Sequence, residues 1–407
     1  MKPIVMLAYG GGHVAMLAPI ARTLIERGTP LLFLAMTTAA AYLERLGLPY
    51  ISYRDMPGAQ DKTVQDWGRE LARDLPAGSV VPLEESTAYL GLNYQDLLER
   101  LGEEGARCAY QQQGRHAFLP VALFKRWLLQ VQPALLVATN SPRSERAALE
   151  AARELGIPSI CLVDAFGIQG IQWIKQPNYA TRICVLNNAV REMFIRESCD
   201  SNTLMVTGNP AFERLQYPAT REAGRALRST KNWNEDEMVV LWASHPEPLR
   251  HPFNHLQGDG LLPRKIESWL REFIAEQPCF RLVVRYHPSE QEVVFKSEQA
   301  RVEQSLRSDD LPVLLNAVDV VVTMTSTVGL EGNLAGKAVI SVRGSIFDED
   351  VPYGDMGIAK EVHSKDELKA ALLMCRANNR RADFIQALQQ KSPTENILEV
   401  IDSLYQR

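Results

Sequence analysis

The chain has 407 residues, too many for one ordinary hydrophobic core, so two or three domains are expected. Hydrophobic residues make up 46% and charged residues 23%, which excludes a disordered, collagenous or coiled-coil chain. A formal net charge of −5 opposes binding to nucleic-acid polymers and to anionic lipid, and leaves room only for a local basic pocket.

The apolar run at 4–9 follows Lys2, is too short for the apolar core of a signal peptide, and ends in glycines, so it reads as a first buried strand. Further short apolar runs at 31–36, 135–138, 159–163, 182–186 and 204–206 alternate with helix-period segments at 13–27, 38–46 and 144–155. Leu46-Gly47-Leu48-Pro49 and Leu155-Gly156-Ile157-Pro158 repeat one device, a helix closed by glycine and led through proline into a strand. The stretch 55–132 is polar and helical, and reads as an insertion beside the sheet. A charged segment at 216–237 marks a boundary, and the pattern then starts again. Strands are expected at 238–244, 280–286, 320–323 and 338–342, helices at 263–276, 290–306 and 327–334, and an amphipathic helix at 394–405. The class is α/β with two Rossmann-like domains facing a cleft. They cover 1–215 and 216–392, and the terminal helix 393–407 packs back on the first domain.

Six scattered cysteines without a C-x-x-C pair suit free thiols in a reducing, cytoplasmic compartment. No window of about eighteen apolar residues suggests a spanning helix. The pair His251 and His255 has helical spacing, but Pro252 between them and the lack of an H-E-x-x-H glutamate argue against a metal site.

Four loops carry chemistry. In Tyr9-Gly10-Gly11-Gly12-His13 a strand ends in glycines and a helix begins, so Gly11 and Gly12 make a cradle for an anion or a sugar. It is not a dinucleotide fingerprint, because the third glycine and the acidic residue after the second strand are missing. His13 either accepts a proton from a hydroxyl nucleophile or caps its helix. Arg285-Tyr286-His287-Pro288 ends a strand in a stiff turn, and both Arg285 and His287 suit a phosphate. In the third loop the strand 320–323 runs into Thr325, Ser326 and Thr327, where an N-cap and free N–H groups would meet phosphate oxygens. Glu331, one turn further, is placed to accept two ribose hydroxyls. Ser244-His245-Pro246-Glu247 ends the first strand of the second half, beside that loop.

Together these loops resemble the GT-B superfamily of nucleotide-sugar glycosyltransferases and the UDP-N-acetylglucosamine 2-epimerases that share its fold. Gly12-His13 through Pro19 is similar to the G-H-x-x-x-x-x-P element in which the histidine serves as base. Val206-Thr207-Gly208-Asn209-Pro210 looks like the turn that closes the first epimerase domain. The His287-Pro288 and Thr325-Ser326-Thr327 motifs are similar to those that hold nucleotide phosphate in bacterial sialyl-, Kdo- and capsule-polymer transferases, and Glu331 stands where many GT-B proteins bind ribose. The epimerase element histidine-glutamate-alanine-glycine-leucine-arginine is replaced by Leu162-Val163-Asp164-Ala165-Phe166-Gly167, which makes Asp164 a second base candidate beside His13.

The resemblance implies transfer of a sugar from a UDP, CMP or CDP donor to a hydroxyl acceptor, without metal or cofactor, in surface polysaccharide or glycoconjugate synthesis. Gly11, Gly12, Ser244, His245, Arg285, His287, Pro288, Thr325, Ser326, Thr327 and Glu331 would hold the donor. The acceptor is a glycan, a lipid-linked molecule or another hydroxyl compound, and a lipid-linked one would bring the chain to the inner membrane surface. A homodimer is compatible with this reading. Epimerisation of a UDP-amino sugar and non-catalytic binding of nucleotide-sugar are the alternatives.

Overall fold

A computed structural model describes residues 2–73, 75, 81–251, 255–290, 299–379 and 391–405. The chain forms two compact units, one of Met1–Ala211 with Lys391–Arg407, the other of Phe212–Gln390. Each is built on a six-stranded sheet whose neighbouring strands all pair in parallel.

In the first unit the strands are β1 (Ile4–Ala8), β2 (Leu31–Ala35), β3 (Leu135–Thr139), β4 (Ser159–Leu162), β5 (Arg182–Val185) and β6 (Leu204–Val206). Their order in the sheet is β2-β1-β3-β4-β5-β6. Every residue of β1 and β3 is buried, as continuous apolar runs covered on both faces require. The order reverses between β1 and β3. In open α/β sheets the carboxyl ends of the strands at such a reversal are the usual ligand position. The polar insertion forms helices Lys62–Ala72, Leu83–Gln113 and Val121–Val131, the second kinked at Gly102.

The last helix, Pro393–Leu404, belongs to the first unit. Ser392 and Glu395 close a capping box at its start, and Ile397, Leu398, Val400 and Ile401 join the core under the helix Gly12–Glu26. The side-chain amide of Asn396 donates to the Thr207 carbonyl at 3.1 Å, and the Tyr405 hydroxyl donates to the Lys2 carbonyl at 3.0 Å. Ile401 is fully buried. Ile401→Ala is therefore expected to cost about 2–5 kcal/mol in denaturant unfolding. Asp402→Ala, which removes only an exposed pair with Arg27, should cost less than about 1 kcal/mol.

In the second unit the strands are β7 (Met238–Ala243), β8 (Phe280–Arg285), β9 (Val302–Ser305), β10 (Val320–Thr323), β11 (Ala338–Val342) and β12 (Lys360–Val362). The order β12-β11-β10-β7-β8-β9 is the doubly wound Rossmann order, reversing between β7 and β10. Three expectations are corrected here. Residues 302–305 form β9, an edge strand paired with β8, where a helix over 290–306 was expected; 291–298 of that helix lie outside the described residues. The short edge strand β12 was not anticipated. The charged segment after 216 is the helix Pro218–Thr230, which belongs to the second unit, and the division falls after Ala211, not after Leu215.

The six cysteines are free. Among the described residues no helix is long and apolar enough to cross a membrane.

Candidate functional site

The switch point of the second sheet holds a pocket of about 360 Å³. Its walls come from the ends of three strands: Ala243, Ser244 and His245 after β7, Arg285 to Pro288 after β8, and Thr325 to Val328 with Glu331 after β10. The structure thus gathers every donor-site residue expected from the sequence in the second half. The hydroxyl of Thr323 ties two of these ends together, donating to the Ala243 carbonyl at 3.0 Å and accepting the Ser326 N–H at 3.3 Å. Ser326 is the N-cap of the helix Thr327–Leu334, its hydroxyl accepting the Val328 N–H at 3.3 Å. Behind the cap, the buried hydroxyl of Tyr353 donates to the Ser326 carbonyl at 2.5 Å and accepts the Leu330 N–H at 3.3 Å.

The side chains in the pocket fall into two groups. Some are engaged by the protein. Ser244 donates to Glu290 at 3.0 Å, and the other Glu290 oxygen accepts the His287 N–H at 2.7 Å, so Glu290 fixes both loops. Arg264 neutralises that carboxylate at 2.9 Å. The guanidinium of Arg285 turns to the segment after β9, donating to the Ser305 hydroxyl at 2.8 Å and to the Leu306 and Asp309 carbonyls at 3.0 and 3.2 Å. Its donors were expected on a phosphate. Nη1 and Nη2 hold this segment, while Arg285 lines the pocket and its charge acts on Glu331.

Other groups remain open to a ligand. Thr325 is 7% exposed, yet its hydroxyl is buried without a hydrogen-bond partner, as is Nδ1 of His245. A buried polar atom left without a partner is costly unless a ligand or water supplies one. His287 Nδ1 accepts the Ser289 N–H at 3.1 Å. The ring's free donor is therefore Nε2–H, suited to a phosphate oxygen. Burial, with His287 beside it, holds the His245 imidazole below its ordinary range. Burial pushes the Glu331 carboxyl up to about 7, against the opposing pull of Arg285. His251 is buried and bonded to Asp350 at 3.1 Å, while His255 is exposed. Among the described residues no group of three or more His, Cys, Asp or Glu is placed to hold a metal ion.

The first unit presents its chemistry at its own switch point. Gly10 lets Thr38 approach to a distance that a Cβ would forbid, and Gly11 turns the chain at φ 68° as the N-cap of the helix Gly12–Glu26. No side chain caps that helix, so His13 has another partner. Its Nδ1 lies 2.8 Å from the Thr139 hydroxyl at the end of β3. That hydroxyl donates at 3.2 Å to Oε1 of Glu145, which also accepts the Tyr9 N–H at 2.8 Å. Glu145 is fully buried, and burial pushes its carboxyl up while His13 draws it back. Asp164 follows β4, half-buried, with its N–H bonded to the Asn140 side chain at 2.9 Å. The His13 ring thus lies against the end of β3, the strand next to β4, after which Asp164 follows.

Thr139, Glu145, Glu290 and Tyr353 were not singled out from the sequence. Thr139, Glu145 and Tyr353 are buried and Glu290 is half-buried, and each has at least one partner remote in the chain. Only Glu145, at a helix start, carried any local signal, and that signal is the one of an ordinary first-turn acid. A further hollow of about 290 Å³ in the first unit is lined by Leu92, Trp127, Glu99 and Arg126 among others. Arg126 and Glu99 pair with each other there at 2.7 Å, and Asp61, Gln95 and Gln130 complete the polar part of the lining.

The two Rossmann-like units, each with a doubly wound parallel sheet, define the GT-B fold. Residues 260–366, which carry the turn after β8 and the hydroxyl loop after β10, match the family described as Capsule polysaccharide biosynthesis protein. Among solved structures, the UDP-GlcNAc 2-epimerase of Methanocaldococcus jannaschii is 14% identical, with a TM-score of 0.57 over 99% of this chain and 100% of that one. The Neisseria meningitidis UDP-GlcNAc 2-epimerase bound to UDP-GlcNAc is 13% identical, with a TM-score of 0.58 over 98% and 100%. Acinetobacter baumannii MurG is 14% identical, with a TM-score of 0.53 over 99% and 100%. No curated protein matches the chain by sequence.

Proposed function

We propose that this chain is a glycosyltransferase that moves a sugar from a pyrimidine nucleotide-sugar (UDP, CMP or CDP) to a hydroxyl acceptor in the synthesis of a surface polysaccharide or glycoconjugate. The observation that carries the reading is the second-unit pocket. Its unpartnered Thr325 hydroxyl, the His287 Nε2–H and the start of the helix Thr327–Leu334 line one pocket and would together take an anion, with Glu331 one turn away for a ribose. The match of residues 260–366 to a capsule polysaccharide family supports the polymer context. In the transfer, the bond from the anomeric carbon to the phosphate oxygen breaks and its electron pair stays on the phosphate. The acceptor oxygen bonds to the anomeric carbon, and its proton passes to His13 or Asp164. The donors around the pocket would stabilise the leaving phosphate in place of a metal, so activity should survive a chelator. A lipid-linked acceptor would place the reaction at a membrane surface.

The test is thermal unfolding with a panel of nucleotides and no acceptor. A nucleotide that fits, at a hundred times its dissociation constant, should add roughly 2.7 kcal/mol of stability. His287→Ala and Thr325→Val should each weaken it about tenfold or more, the worth of a charge-assisted hydrogen bond. If no pyrimidine nucleotide stabilises the chain, or if both variants bind as the parent does, the reading fails.

Epimerisation is the second reading, favoured by the likeness of the fold to the M. jannaschii and N. meningitidis UDP-GlcNAc 2-epimerases. Incubation with UDP-GlcNAc alone separates the two, because an epimerase forms a new sugar without any acceptor. A chain that binds nucleotide but turns over nothing under either condition would be a binding protein.

A further inference from the structure

The hydrogen-bond chain behind His13 fixes where its proton sits. Oε1 of Glu145 accepts the Tyr9 N–H at 2.8 Å, so that oxygen acts as an acceptor. The Thr139 hydroxyl has one proton and donates it to the same oxygen at 3.2 Å. With that proton engaged, Thr139 offers only a lone pair to His13 Nδ1 at 2.8 Å, and Nδ1 must carry the ring's hydrogen. Nε2 is then left with its lone pair. Thr139 and Glu145 are both fully buried, so no solvent competes for these bonds, and the chain runs from the protein interior to the half-buried imidazole.

We propose that Thr139 and Glu145 are positioning residues that hold His13 as its Nδ1–H tautomer and so ready Nε2 to take a proton from the acceptor. The catalytic consequence rests on the glycosyltransferase reading above; the tautomer does not. When the acceptor hydroxyl gives its proton to Nε2, the imidazolium that forms keeps its Nδ1–H bond to Thr139. The remote Glu145 carboxylate then faces a positive charge relayed through one hydroxyl. Nothing is transferred to Glu145, and the proton count closes on the histidine.

The experiment is nitrogen-15 NMR of the full chain with labelled histidine, the His13 signals being assigned by their loss in His13→Gln. In the parent protein His13 is expected in the Nδ1–H form. Thr139→Val, which keeps the shape and removes the hydroxyl, should shift it towards Nε2–H, and Thr139→Ser should restore it. Glu145→Gln gives a second route should Thr139→Val not fold, because an amide holds the threonine proton more weakly and should loosen the tautomer in the same direction. His13 found as Nε2–H in the parent, or unmoved in every variant that folds, overturns the proposal whatever reaction the chain performs. In turnover, kcat of Thr139→Val should fall about tenfold to a hundredfold with the donor KM unchanged, and the serine variant should recover it. A tautomer that shifts as expected while kcat stays level would uphold the hydrogen-bond chain and sink the role of His13 as base.

Discussion

Glu331→Gln is expected to make the chain more stable at pH 8 and a poorer nucleotide binder, two effects of opposite sign from one side chain. The Glu331 carboxyl has its ordinary value of 4.5 in the unfolded chain and is pushed up to about 7 by burial in the folded one. Between these values the folded state holds a proton that the unfolded state has released. Stability from this group is therefore fully present below about pH 4.5 and is lost as pH rises to about 7. Above pH 7 the carboxylate is ionised in a partly dry site, a penalty of roughly 3 kcal/mol at most from the size of the shift. Glutamine cannot ionise and avoids it. Unfolding measured at pH 5 and pH 8 should show little difference between parent and variant at the lower pH and a higher midpoint for the variant at the upper.

Binding has the reverse dependence. A carboxylate accepts two ribose hydroxyls, whereas its protonated form must give up one acceptor position to its own hydrogen. Nucleotide affinity of the parent should therefore rise between pH 6 and pH 8, and in Glu331→Gln it should be about tenfold weaker at pH 8 and level with pH. Arg285 is part of the same balance, since its positive charge is what restrains the upward shift. A parent affinity that does not change over this range would show that the ribose contact is made elsewhere.

The features visible in the sequence are those whose cause is local. Continuous apolar runs gave the central strands because both faces of a parallel sheet are covered. A cap at Ser326 or Thr327 followed from hydroxyls between an apolar strand and a helix, and the structure places it at Ser326, whose hydroxyl accepts the Val328 N–H. What lay hidden was set by strands meeting across the sheet. Glu290 reads as one more surface acid, yet it joins Ser244 to His287 because β7 and β8 are neighbours. Arg285 has the sequence signature of a phosphate ligand, and only the pairing of β8 with β9 shows that its donors have other partners. β9 itself was read as helix because an edge strand of Val302-Glu303-Gln304-Ser305 lacks the apolar run that marks a covered strand.

His13→Ala is expected to carry the largest effect on turnover, a fall of about 10²- to 10⁴-fold in kcat with nucleotide binding unchanged. His13 belongs to the first unit, and no residue lining the second-unit pocket lies there, so loss of its imidazole leaves that pocket whole. Capping does not explain the residue, because Gly11 is the N-cap and the imidazole bonds to Thr139 across to β3. Asp164→Ala is the matched experiment. It follows the carboxyl end of β4, beside β3, and a carboxylate serves as base without any tautomer to set. If His13 is the base, Asp164→Ala should raise the acceptor KM more than it lowers kcat, and His13→Gln should be as inactive as His13→Ala. If Asp164 is the base, the two patterns exchange. Full activity in both alanine variants would remove the first unit from proton transfer altogether, and the assignment of acceptor chemistry to it would fall with them.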